Sequence, residues 1–331
     1  MWPMGKRAGA KTTAVPAAAG VRLEWWAVPL AVRSEVEAAL GSPVESAVTQ
    51  TGGFSPGVAA RVRLADGRRV FIKAVGPEPN PEAPGIHRAE ARITAALPGA
   101  APVPSLLTAL DLDGWVVLVL EDVDGKMPAQ PWQPDELRRV LAAAADLSVL
   151  LDPSPVEAPP VADRLGASFQ GWRRLAAASA AGTDDLAWLG PWARRNLGRL
   201  ADREAGWTAA AAGSALVHGD LRADNILLTE DRVVVVDWPW AAVGAAWFDV
   251  VAMGPSVVMQ GTPDAVRLLD RHLHAQGAAP EDVTTVLIAA AGFFLHQSVQ
   301  PPPPGLPTVR SFQRAQGEAA LPWIRARTGW H

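Results

Sequence analysis

Residues 216–228 read LVHGDLRADNILL, and residues 235–238, a few positions on, read VVDW. Apolar runs bracket a dense polar cluster made of His218, Gly219, Asp220, Arg222, Asp224 and Asn225. The runs NILLT and RVVVVDW flank the turn EDR, which is the pattern of a short hairpin. Asp220, Asn225 and Asp237 therefore stand at the ends of neighbouring strands, where they can converge on one point. Two carboxylates and an amide oxygen are hard donors, suited to Mg²⁺ holding phosphate oxygens. Turn capping accounts for polar residues in a loop, but not for a third acid at the end of the next apolar strand.

Upstream, residues 44–75 read as three strands, VESAVT, VAARVRL and RRVFIKAV, separated by the loop QTGGFSPG and the turn ADG. Asp66 and Gly67 supply the positive φ that a tight hairpin needs. On this reading an antiparallel sheet begins the folded chain. A helix over 84–97 follows, with Ile86, Ile93 and Leu97 on one stripe and Glu90 on that same stripe. An unpaired carboxylate is costly to bury. Lys73, the only lysine between residues 12 and 125, ends the third strand among apolar neighbours. Alone it reads as an edge charge reaching water; an ion pair with Glu90 satisfies both residues. Ahead of it, Gly52, Gly53 and Gly57 permit close backbone approach, and the loop amides and Ser55 are donors for phosphate oxygens.

An apolar strand over 115–120 runs into a polar connector, 121–125, and beyond it the pattern turns helical. Candidate helices span 135–151, 163–180, 184–205, 248–259, 263–276, 281–297 and 308–327. QPPPPGLP at 300–307 reads as a stiff extended connector, because proline lacks the donor and fixes φ. The expected division is a loose tail over 1–20, a strand-rich lobe over 21–123 ending in the connector, and a helical lobe over 124–331.

With 331 residues, 49% of them hydrophobic and 19% charged, the chain has the composition of a globular protein with room for two cores. A net charge of −4 argues against a nucleic-acid partner. The absence of cysteine excludes disulfides and thiolate metal sites. No run nears about 18 uninterrupted apolar residues, and the basic segment MWPMGKRAGAKTTAVPAAAG lacks the apolar centre of a secretion signal. The expectation is a soluble cytoplasmic protein with neither a nucleic-acid nor a membrane partner, its oligomeric state open. His272 and His274, two apart, do not share a helix face, which argues against a metal site there.

Together, HGDLRADNILL and VVDW resemble the aminoglycoside phosphotransferase family, the small-molecule branch of the protein-kinase-like fold. The resemblance implies an α+β, bilobal protein-kinase-like fold with an N-terminal antiparallel sheet plus helix and a mostly helical C-terminal lobe. It also implies transfer of the γ-phosphoryl group of ATP to a small-molecule hydroxyl with Mg²⁺, GTP remaining an alternative donor. By that resemblance Asp220 is the catalytic base, Asn225 and Asp237 are metal ligands, His218 supports the same catalytic loop, and Asp249 braces it. Lys73, paired with Glu90, meets the α- and β-phosphates. Gly52, Gly53, Ser55 and Gly57 belong to the phosphate-covering loop, and Glu121, Asp122 and Val123 to a hinge that reads adenine through the backbone. Those three are placed by position only, and an ordinary linker reading stands beside them. HGD replaces the usual HRD of protein kinases, Pro56 departs from their glycine spacing, and Arg222 and Asp224 receive no chemistry.

Between Asp237 and Asp249 the sequence WPWAAVGAAWF holds no DFG, no APE and no phosphorylatable segment, which argues against a protein acceptor. Trp238, Trp240 and Trp247 lie next to the metal ligands and are the acceptor-binding candidates, whereas Trp188 and Trp192 read as core. From residue 124 onward acidic side chains outnumber basic ones by only four, so a mixed or moderately apolar alcohol, antibiotic or metabolite, fits better than a polycation. Arg310 and Arg314, one helical turn apart, read as a solvated face. Two alternatives remain: a nucleotide-binding regulatory protein without turnover, and a nucleotidyltransferase.

Overall fold

The computed structural model describes residues 22–52, 57–78 and 80–331. The expected tail over 1–20 and the loop residues Gly53 and Ser55 lie outside them. The sheet does not open the fold, as the sequence reading expects: a helix, α1 (Leu30–Leu40), comes first. Val32, Val36 and Leu40 are its buried residues; their spacing of four stacks them on one face. With Trp25 and Val28 they cover one side of the sheet, each large apolar side chain contributing roughly 1.5–3 kcal/mol on burial.

The strands β1 (Val44–Thr49), β2 (Val58–Leu64), β3 (Arg69–Val75), β4 (Leu106–Leu112) and β5 (Trp115–Glu121) form one antiparallel sheet in the order β1-β2-β3-β5-β4. Asp66 and Gly67 make the expected turn, with Gly67 at φ +89° and the Asp66 carboxylate accepting the Arg68 N–H at 3.0 Å. Strand alternation divides β3 by face. Val70, Ile72 and Ala74 join the α1 side, while Phe71 packs with Val116, Leu118 and Leu120 on the other. On that other side lies α2 (Ala83–Ala96), whose buried residues include His87, Glu90 and Ile93. Lys73 shares the parity of Phe71 and so projects toward α2.

The rest of the chain is mainly helical: α3 (Pro134–Leu150), α4 (Val161–Leu165), α5 (Gly171–Ala180), α6 (Pro191–Arg195), α7 (Leu197–Glu204) and α8 (Trp207–Ala210). The single helices expected over 163–180 and 184–205 are each broken, for different reasons. Glu204, fully buried at the end of α7, accepts the N–H groups of Trp172 at 2.9 Å and Arg173 at 3.0 Å. A carboxylate 32 and 31 residues downstream of them thus satisfies the orphan donors at the start of α5. In the second case Pro191 opens a new helix, since proline is tolerated in a first turn and breaks an interior.

Four short strands follow, β6 (Ala215–Val217), β7 (Ile226–Leu228), β8 (Val233–Val235) and β9 (Ala242–Gly244), then α9 (Phe248–Met259), α10 (Ala265–Ala275), α11 (Pro280–Ser298) and α12 (Val309–Thr328). The β7–β8 hairpin is the expected one; the β6–β9 pair is not legible from three-residue strands so far apart. From Val283 to Ala291 every residue of α11 is buried, making it the axis of the larger core. Trp188 and Trp192 are only half-buried: Arg314 lies over the first ring at 4.7 Å, and the second donates to the Trp330 carbonyl at 2.9 Å. Arg310 is likewise tied down, to Gln297 at 2.7 Å and to the Pro301 carbonyl.

Candidate active site

The loop between β6 and β7 is held in place from three directions. The Asp249 carboxylate, in the first turn of α9, accepts the N–H groups of His218 at 2.7 Å and Gly219 at 2.9 Å. His218 is buried and uses both ring nitrogens: Nε2 pairs with the Val236 carbonyl at 2.9 Å, and Nδ1 lies 3.2 Å from the Asp220 amide. Those contacts assign the proton to Nε2. The imidazole meets the edge of Trp238 at 4.8 Å between centroids. His218, grouped with the catalytic candidates from sequence, is thus a positioning residue whose ring nitrogens are both engaged within the protein.

Gly219 explains why the motif reads HGD. Its φ is +79°, and a Cβ there would stand 2.5 Å from the Trp240 carbonyl oxygen, so conformation and space both demand glycine. Asp249→Ala should cost about 3 kcal/mol, since two backbone donors would lose their acceptor at roughly 1–3 kcal/mol each. Urea unfolding measures this; a variant as stable as the parent would remove Asp249 from the support of the loop.

Asp220 follows, and a residue assigned no chemistry from sequence governs it. Arg222 donates to Asp220 at 2.6 Å and, through two nitrogens, to Asp224 at 3.0 Å. Burial pushes the Asp220 carboxyl up to about 6, opposed by the Arg222 guanidinium. The same two carboxylates hold Arg222 above the usual arginine range despite its burial. A D-x-R-x-D run is the one signal in the sequence that hints at this bridge. Asn225 donates its amide N–H to the Asp220 carbonyl at 2.8 Å, which commits its nitrogen and leaves its oxygen as the available ligand atom.

Asp237 stands beyond β8 at φ +69°, a left-handed conformation that costs a non-glycine residue about 1–3 kcal/mol. Lys73 Nζ lies 2.6 Å from its carboxylate and 2.5 Å from that of Glu90, so one ammonium joins β3, α2 and the end of β8. Burial opposes the Lys73 charge, but Asp237 and Glu90 together raise its pKa above the ordinary value. For Glu90 burial wins and the pKa rises; for Asp237 the nearby ammonium wins and the pKa falls.

These groups border a cavity of about 430 Å³ whose lining includes Gly52, Ala59, Lys73, Glu90, Leu120, Leu227, Asn225 and Asp237. Glu121, Asp122 and Val123 line it too. The Glu121 N–H is spent on the Ser105 carbonyl at 2.9 Å. The Asp122 carboxylate is taken by Arg61 at 2.7 Å and Arg69 at 2.8 Å. By contrast the Val123 N–H meets no acceptor among the described residues, as a donor kept for a ligand would. The connector is also tied to β7, because Lys126 and Leu228 exchange two backbone hydrogen bonds of 3.0 and 2.7 Å.

Gly57 does not line the cavity; at φ +94° it packs so close to Ala74 that a Cβ would stand 2.5 Å from that carbonyl. Of the three tryptophans, Trp238 is 2% exposed and donates to the Val235 carbonyl at 3.1 Å, so it is mainly core. Trp247 is half-buried against the larger core, and only Trp240 is exposed. No helix among the described residues is long and apolar enough to cross a membrane.

A family model described as the APH phosphotransferase enzyme family matches residues 52–285. Among solved structures, a thermostable mutant of an aminoglycoside phosphotransferase in ternary complex with ADP and hygromycin B superposes with a TM-score of 0.58 at 13% identity, covering 91% of this chain and 100% of that one. A choline/ethanolamine kinase family protein from Mesorhizobium loti gives 0.58 at 17% identity, covering 90% and 97%. A macrolide 2'-phosphotransferase from Brachybacterium faecium gives 0.54 at 16% identity, covering 88% and 98%. At such identities the likeness is one of fold. No curated protein sequence matches the chain.

Proposed function

We propose, from the premise that this chain belongs to the phosphotransferase enzyme family, that it transfers the γ-phosphoryl group of ATP to a hydroxyl of a small molecule. The observation that carries the proposal is the contact of Lys73 with both Glu90 and Asp237, set in one cavity with Asn225 and a Val123 amide that meets no acceptor among the described residues. A purely structural ion pair has no use for an apolar slot that ends at the Val123 N–H.

In this reading the lobe over 21–123 binds the nucleotide, with the adenine between Ala59 and Leu227 and one edge on the Val123 N–H. Lys73 supports the phosphates. Asn225 and Asp237 offer hard oxygens that fit Mg²⁺, which when bound would neutralise charge on the phosphate oxygens. Asp220 takes the proton of the acceptor hydroxyl as that oxygen bonds to the γ-phosphorus, and the bond from the γ-phosphorus to the bridging oxygen breaks to release ADP. Arg222 holds the Asp220 carboxylate in place, and a pKa of about 6 leaves it ionised at neutral pH yet basic enough to accept a proton.

The acceptor approaches from the lobe over 124–331, where Trp240 flanks Gly219 and presents an exposed ring for a sugar or other mixed surface. A cytoplasmic location, where ATP is supplied, goes with this function. The test is a screen of hydroxyl-bearing antibiotics and metabolite alcohols with ATP and Mg²⁺, read by mass spectrometry. Acceptors gaining one phosphate are expected. Acceptors gaining a nucleotide, or ATP binding without any product, would replace phosphoryl transfer with nucleotidyl transfer or with regulation.

A further inference from the structure

Away from the cavity, the helices α5, α11 and α12 bring three basic side chains together: Arg174, His296 and Arg310. The first two helices cross at glycines, because a Cβ on Gly171 would overlap the Gly292 carbonyl. Arg174 and His296 each stand about one turn beyond that crossing. Leu295 packs against Gly317, which lays α12 alongside and places Arg310, in its first turn, near the end of α11. There Arg310 is fixed by four bonds: Nε and Nη2 donate to the Pro301 carbonyl at 3.0 and 2.8 Å, and Nη1 donates to Gln297 at 2.7 Å and Gln313 at 2.9 Å. Every one of those acceptors is neutral.

Arg174 is exposed and donates to the Ala167 carbonyl at 2.7 Å, again a neutral partner. The acids of these helices are spent elsewhere: Glu204 takes Arg173, and Glu318 takes Arg314. Burial lowers the Arg310 pKa with no carboxylate to offset it. Between the two arginines, His296 Nδ1 is buried and meets no partner. Burial first, and then the fields of Arg174 and Arg310, hold the ring below the ordinary histidine range. Two guanidinium charges and one ring nitrogen thus converge where the protein supplies no negative charge, and both a buried charge and an unsatisfied polar atom are costly to leave unanswered.

We propose that the seam between α5, α11 and α12 binds a small anionic group, a carboxylate or a phosphate, with Arg174 donating to its oxygens beside the His296 ring and Arg310 supplying a fixed charge. The planar fork of arginine matches both groups, and charge-assisted bonds are stronger than neutral ones. The same chemistry is carried by a free anion and by an acidic group on the acceptor alcohol.

Histidine-ring NMR follows the site in the parent protein, the His296 signals being assigned by their loss in His296→Gln. Inorganic phosphate is titrated against chloride at equal ionic strength, and the His296 signals should move saturably with phosphate alone. Arg174→Gln keeps an N–H for the Ala167 carbonyl on an exposed side chain, so it should fold as the parent does and bind phosphate at least about tenfold more weakly. His296 signals that follow chloride as closely as phosphate overturn the site, as does equal phosphate affinity in the variant. Kinetics then separate the two sources, using acceptors found in the screen above. If phosphate raises the acceptor KM in the parent but not in Arg174→Gln, the group is the acceptor's own; if KM does not change, the ligand is a free anion. Only this kinetic arm rests on the phosphotransferase reading. A protein that binds phosphate beside His296 yet phosphorylates no acceptor keeps the site and loses that reading.

Discussion

Asp220→Asn is expected to lower phosphoryl transfer by about 10²–10⁴-fold, the usual range for losing a positioned general base, while ATP affinity stays within about twofold. Asparagine preserves the shape of the side chain and leaves an oxygen for the 2.6 Å contact from Arg222. The backbone contacts of Asp220, to the His218 ring and from the Asn225 amide, do not involve its side chain. The loop should therefore stay folded, and the loss should be one of proton acceptance. The parent enzyme should lose activity as pH falls through about 6, because burial raises the Asp220 carboxyl to that value and the base must be ionised. Single-turnover transfer measured beside calorimetric ATP binding separates the two effects. Transfer at the parental rate in the variant would exclude Asp220 as the base.

Lys73→Met is expected to weaken ATP binding at least about tenfold and to destabilise the fold by about 3–5 kcal/mol, the cost of leaving a buried charge without its partner. Lys73 and Glu90 are 8% and 2% exposed, and methionine fills the space without the ammonium. In the parent, burial pushes Glu90 up to about 7. A carboxyl raised on folding contributes stability at low pH that is lost as pH rises through its folded value. Asp237 runs the other way: Lys73 depresses it, so its contribution is present above the ordinary carboxylate value and is lost on strong acidification. Removing the ammonium drives Glu90 higher and takes the depression from Asp237. Both changes penalise the ionised pair, so the destabilisation should be larger at pH 8 than at pH 5. Urea melts at the two values test this, and an equal loss at both would mean that the carboxylates do not depend on Lys73.

Both predictions concern residues that are legible in the sequence. Glu90 declares itself because a carboxylate on an apolar helical stripe requires a partner, and Lys73 was the only lysine at hand. The hairpin β7–β8 is legible because its apolar runs and turn are adjacent, so spacing alone presents Asn225 and Asp237 at strand ends. The same local logic gives the antiparallel sheet, α2, α9 and α11. It fails at α1, whose stripe of three apolar residues is thin in a mixed segment, and at the break before α5, where the capping carboxylate comes from Glu204.

What the sequence determined, then, is a family and a local arrangement: an α+β phosphotransferase fold, a buried Lys–Glu pair, and Asp220, Asn225 and Asp237 gathered around one loop and hairpin. These follow from periodicity, spacing and the cost of burying charge, all properties of near neighbours along the chain. Only the tertiary structure decided that Arg222 bridges Asp220 to Asp224, that Gly219 must clear the Trp240 carbonyl, and that Trp238 belongs to the core. Each of these is a contact whose worth depends on where a distant segment comes to rest, and a side chain whose partner lies in another element carries no local mark of it.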